Sequence, residues 1–95
     1  MEQITLVEKE SIAEYNFAKE EVLSDESLRQ LRYEQLEKSE RLGNNYKRKV
    51  RIAFKTEENE TLKVETTIWA VGKDYIELKA GIMIPIRAIL EIKFD

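Results

Sequence analysis

WAVGKDYIELKAGIMIPIRAILEIKF, residues 69–94, is the stretch on which the reading of the fold turns. Gly72-Lys73-Asp74 marks a tight turn, after which Tyr75 to Lys79 alternates with Ile76 and Leu78 on one face. Ala80-Gly81 turns the chain again. Pro85 lacks a ladder donor, so the run 82–86 has to end there or lie at an edge. Arg87-Ala88 then leads into a last alternating run, 90–94. Short strands separated by glycine turns imply the back half of a small β-barrel.

Working outward, residues 46–56 carry the same period of two. Val50, Ile52 and Phe54 point one way and Lys49, Arg51, Ala53 and Lys55 the other, which predicts a half-buried strand with a basic outer stripe. The polar run 57–60 is a turn, so this strand and the next should pair as an antiparallel hairpin. The second strand, 61–71, places Leu62, Val64, Thr66, Ile68 and Ala70 on one face. Its other face changes from Lys63 and Glu65 to Thr67, Trp69 and Val71, and so requires cover near its end. Only the N-terminal third supplies that cover.

There, Ser11 and Glu14 match a capping box and predict a first helix over 12–23, with Ile12, Tyr15, Ala18, Val22 and Leu23 on one face. Phe17 falls outside that stripe and is expected to pack on a neighbour or on another chain. Ser24 with the acidic residues after it predicts a second helix over 25–42 that buries Leu28, Leu31, Leu36 and Leu42. Gly43 is its expected left-handed stop. Residues 4–7 are β-prone but short, and are read as coil or a marginal edge strand.

Composition narrows the function classes. The 95 residues suit one domain, with a helical part over 1–44 and a barrel part over 45–95. Cysteine and histidine are absent, which removes thiolate and imidazole chemistry and the usual zinc and haem ligands. No cofactor or metal is expected. The opening MEQITLVEKE has no secretory pattern, and no window approaches the roughly 18 apolar residues of a membrane span, so a cytoplasmic location without a membrane partner is the expectation. Residues 1–42 hold eleven acidic and six basic side chains, whereas 43–95 hold eight acidic and ten basic. The halves can therefore attract each other or face different partners.

The segments VGKDYIEL and IPIRAI resemble small barrels of the Sm-like and SH3-like type. FAKEEVLSDESLRQLR, LGNNYKRKV, VETTIWA and IPIRAI make the whole chain similar to a group of short bacterial proteins of unknown function. The resemblance implies one continuous domain and no particular activity. A cyclic-dinucleotide barrel of the PilZ type is rejected, because Arg48 and Arg51 have the wrong spacing for its arginine pair and its second motif is missing. The expected fold is thus α+β: two N-terminal helices followed by a five-stranded antiparallel, partly closed SH3-like or Sm-like barrel.

Two surfaces stand out. Lys47, Arg48, Lys49, Arg51 and Lys55 form the densest basic cluster and would attract a phosphate backbone, with RNA as the target; the alternative is an edge strand protected by its charges. Phe17, Trp69, Tyr75 and Met83 are the aromatic and methionine residues expected at a protein interface or in a homodimer. The strand carboxylates Glu65, Glu77 and Glu91 have no nucleophile or base placed with them, so no enzyme is expected. A protein-interaction or scaffolding module with an unknown partner is the leading reading, and RNA binding through the basic strand is the alternative.

Overall fold

The computed structural model describes residues 5–94. Among these residues, seven strands form two sheets. In the first, β1 (Thr5–Val7), β3 (Thr61–Thr66), β2 (Val50–Lys55) and β7 (Ile89–Lys93) lie side by side in that order; in the second, β4 (Ile68–Val71), β5 (Tyr75–Leu78) and β6 (Met83–Pro85) follow one another. One α-helix, α1 (Glu26–Tyr46), packs against β4 and β7. The architecture therefore corrects the expected one. The described residues hold a single long helix, and their sheets do not close into a five-stranded barrel.

The hairpin expected over 50–66 is present and antiparallel. Ile52 faces Val64 and Phe54 faces Leu62, and all four are buried, as the alternation requires. β2 is flanked by β3 and β7, so it is a central strand and not an edge. The marginal residues 5–7 do pair, in parallel with β3; Ile4 lies outside the described residues.

The expected second strand breaks at a corner. Thr66, Thr67 and Ile68 are buried in succession, and the chain leaves one sheet after Thr66 and enters the other at Ile68. A bulge between Ile68 and Ala70 then shifts the register, so that Ala70 faces Glu77 and Val71 faces Ile76. Trp69 is the extra residue of that bulge. This moves Ala70 off the face it was expected to share with Ile68.

Helix α1 stands between the free edges of the two sheets. Near its start Arg32 Nη1 donates to the Ile89 carbonyl of β7 at 2.9 Å, and near its end Glu40 Oε2 accepts from the Val71 amide of β4 at 2.8 Å. Side chains of α1 thus satisfy backbone groups that a strand-to-strand closure would have used. The helix begins where expected, but its N-cap is Asp25, whose carboxylate accepts from the Ser27 amide at 2.8 Å, and not Ser24. No β-branched residue interrupts it.

Its packed face matches the predicted one at Leu36 and departs from it elsewhere. Arg32, Leu36, Ser39 and Gly43 are buried at steps of four, three and four, while Leu28 and Leu31 are exposed and Leu42 is half-buried. The small Ser39 and Gly43 bring the helix axis close to β4. A Cβ built on Gly43 would lie 2.2 Å from the Ile68 carbonyl oxygen and 2.9 Å from Thr67 Cγ2. Gly43 is therefore a close-approach residue inside the helix, not its stop.

The first predicted helix is absent. Residues Lys9–Glu14 form a 3-10 turn that buries Ile12, and the following segment is an extended strap. Tertiary partners take the backbone groups a helix would have paired internally: Ala18 N–H donates to the Lys55 carbonyl and Val22 N–H to the Arg87 carbonyl, at 3.0 and 2.9 Å. Phe17 bridges to Thr56 and stacks, tilted, on Phe54 at 5.6 Å. A fork from Arg32 Nη1 and Nη2 to the Glu21 carboxylate, at 2.8 and 2.6 Å, fastens the strap to the helix.

Candidate functional site

The corner at Thr67 and the end of α1 together produce a groove of about 900 Å3. Its walls are β1 with the 3-10 turn after it, the last turn of α1, and the bulged Trp69; the buried Thr66 and Thr67 lie between them. Because Gly43 has no side chain, the helix end sits directly on the corner. Lys47 and Lys49 are thereby delivered to the same groove as Trp69 and Lys79.

Lys47 ends the helix. Its φ of 54° is left-handed and its amide donates to the Gly43 carbonyl, the 5→1 bond of an αL cap, while the Arg48 amide reaches back to the Leu42 carbonyl at 3.3 Å. That position normally favours glycine, since a side chain there costs about 1–2 kcal/mol. Here a lysine occupies it and faces an open groove.

The charges of the groove divide into satisfied and uncommitted groups. Lys9 pairs with Glu10 at 2.6 Å, and its hydrogen bond holds the Glu10 carboxyl below the usual carboxylate value. Glu65 pairs with Arg51 at 3.0 Å. Lys47, Lys49 and Lys79 have no ion-pair partner among the described residues, and Trp69 is 48% exposed. Glu8, on the same wall, has no ion-pair partner either, so three ammonium groups and one carboxylate left unpaired among the described residues share the groove with an accessible indole.

The remaining members of the predicted basic cluster are placed elsewhere. Arg51 sits in the first sheet between Glu65 and Lys93, and the next outward residue, Ala53, sits between Lys63 and Glu91. The outer face of β2 is thus a mosaic of both signs, not a continuous positive stripe. Lys55 donates to Asn59 Oδ1 at 3.0 Å at the far end of the strand. Arg48 is exposed beside the groove.

The predicted interface residues also separate. Trp69 joins the lysines. Tyr75 and Met83 are both exposed on the second sheet, where Met83 faces Glu77 and Tyr75 faces Pro85. They border a smaller hollow of about 350 Å3 with Ala70 and Gly72. Phe17 is half-buried against the core.

Sequence reasoning missed Lys79 and the contribution of residues 6–10. Lys79 reaches the groove because its amide donates to the Thr67 carbonyl at 3.2 Å, a contact between two turns that no local pattern announces. Among the described residues, no group of three or more acidic side chains is placed to hold a metal ion, and no helix is long and apolar enough to cross a membrane. Comparison with protein-family models, with curated proteins and with solved structures finds no match.

Proposed function

We propose that this chain is a non-catalytic interaction module whose groove binds an acidic segment of a partner protein. The observation that carries the reading is the grouping of Lys47, Lys49 and Lys79, none of them ion-paired among the described residues, around the half-exposed Trp69. Aromatic residues in concave settings concentrate binding energy, and uncommitted lysines select for negative charge. A mixed segment, with carboxylates for the lysines and one apolar side chain for the indole, matches both features. RNA is the less favoured ligand, because the mosaic face of β2 offers no extended track for a phosphate backbone.

Trp69 is the only tryptophan of the chain, so its emission reports on the groove directly. Titration with a synthetic peptide alternating glutamate with leucine is expected to give a saturable change in emission that weakens with salt. Lys49→Glu should abolish it, with the thermal midpoint unchanged. An oligouridine giving the tighter saturable response would replace this reading with the RNA one. No response to either ligand would end both.

A further inference from the structure

A second cavity, of about 400 Å3, shares no residue with the groove. It lies where the strap, α1, the β4–β5 turn and the 3-10 turn Ile86–Ala88 meet. Its walls are pinned by backbone bonds, Ile86 N–H to the Asp74 carbonyl and Val22 N–H to the Arg87 carbonyl, both at 2.9 Å. The cavity is therefore pre-formed, without a hinge that would need to close.

Three cations line it. Arg32 is 5% exposed, and although its Nη atoms serve Glu21 and the Ile89 carbonyl, its buried Nε has no hydrogen-bond partner. That Nε is sealed from solvent, so Arg32 contributes positive charge beneath the cavity and not a hydrogen bond to its occupant. Arg87 uses Nε on the Ala18 carbonyl at 2.9 Å, and its Nη groups make no hydrogen bond among the described residues. Lys73 has no ion-pair partner among those residues. Of the two carboxylates present, Glu21 is already engaged by Arg32, which leaves Asp74 against Arg87 and Lys73.

We propose that this cavity is a binding site for a phosphate-class oxyanion, with Arg87 as the principal contact, Lys73 as the second and Arg32 as the buried cation beneath. A guanidinium presenting unused donors in a fixed plane matches a tetrahedral oxyanion in geometry as well as in charge. The volume exceeds that of a bare phosphate, so a phosphate monoester on a small organic body also fits, with Tyr75 at the rim to meet the body. The opposing Asp74 disfavours ligands carrying long runs of negative charge.

The test is a titration of the isotopically labelled full chain with inorganic phosphate and, separately, with phenyl phosphate, at constant ionic strength. Saturable shifts are expected at residues 73–75 and 86–87. Binding of phenyl phosphate tighter than inorganic phosphate would assign the site to an organic monoester, and equal affinities would assign it to the free ion. Lys73→Gln lies in an exposed turn and should weaken binding about threefold; Arg87→Lys, which keeps the charge but not the planar fork, should weaken it about tenfold. Shifts that rise linearly without saturation, or that acetate and chloride reproduce, would overturn the proposal. So would unchanged affinity in a folded Lys73→Gln variant. The groove reading is judged by Trp69 emission, so the two ideas fail separately.

Discussion

The two ends of α1 are held by opposite means. At the N-terminal end a charged side chain, Arg32, is buried and satisfied mainly by directional bonds to Glu21 and the Ile89 carbonyl; at the C-terminal end Gly43 is buried because it presents no side chain at all. The first contact is specific in angle and open to pH. The second is specific in distance and indifferent to it. One helix thereby locks two sheets that do not otherwise close, with its polar end on β7 and the strap and its steric end on β4.

The steric end should be the less forgiving. Gly43→Ala ordinarily gains about 1 kcal/mol of helix propensity. Here the added methyl would meet a backbone carbonyl that cannot rotate away, so a net loss of about 2–3 kcal/mol is expected in chemical denaturation. A neutral or stabilised Gly43→Ala would refute the close approach of helix and β4. The groove would then lose its defined wall.

At the polar end, Glu21→Gln should cost about 1–2 kcal/mol at neutral pH. The effect is moderated because the Glu21 side chain is 32% exposed and partly screened by water. Burial pushes the Glu21 carboxyl up, but hydrogen bonds from Arg32 and the Leu23 amide, with the charges of Arg32 and Arg29, outweigh it and leave the group below its ordinary value. A carboxyl lowered in the folded state contributes its full stability above the unfolded pKa and loses it as pH falls through the folded pKa. The parent chain should therefore lose stability on acidification below the ordinary carboxylate value, and Glu21→Gln should lose less. Parallel acid profiles for the two chains would show that the fork does not hold the strap.

The smallest expected effect has the opposite sign. Lys47→Gly should stabilise the fold by about 1 kcal/mol, since glycine relieves the left-handed backbone at the helix stop. The same change should weaken acidic-peptide binding at Trp69. Stability gained together with affinity lost would mark Lys47 as a residue kept for the groove; a gain in both would remove it from the site.

Strand positions in the second half of the chain were legible because alternation and turn residues act locally. The antiparallel hairpin with Ile52 and Val64 facing inward, the end of β6 at Pro85 and the turn before β7 all follow from a period of two and the missing proline N–H. The N-terminal third misled for an equally physical reason. Ser11 and Glu14 have capping-box spacing, but the Ser11 hydroxyl donates to the Glu8 carbonyl at 3.0 Å, and the strap finds partners on β2 and Arg87 that local rules cannot anticipate. The leucines of α1 suggested a buried face, yet of them only Leu36 is fully buried; Arg32 and the small Ser39 and Gly43 complete the packed face, and Leu28 and Leu31 lie outside. Of the candidate site, Trp69 and the lysines before Val50 were visible as residue types; that they share a groove with Lys79 was not.

Local chemistry thus specified the hairpin, the turns, a long helix beginning near Asp25 and the absence of histidine and cysteine chemistry. Tertiary structure decided how far that helix runs, which of its faces is buried, and that the strand expected over 61–71 belongs to two sheets. The reason lies in range. Alternation and caps act over a few residues, whereas the close approach of Gly43 to the Ile68 carbonyl and the Arg32–Glu21 fork depend on segments distant in the chain.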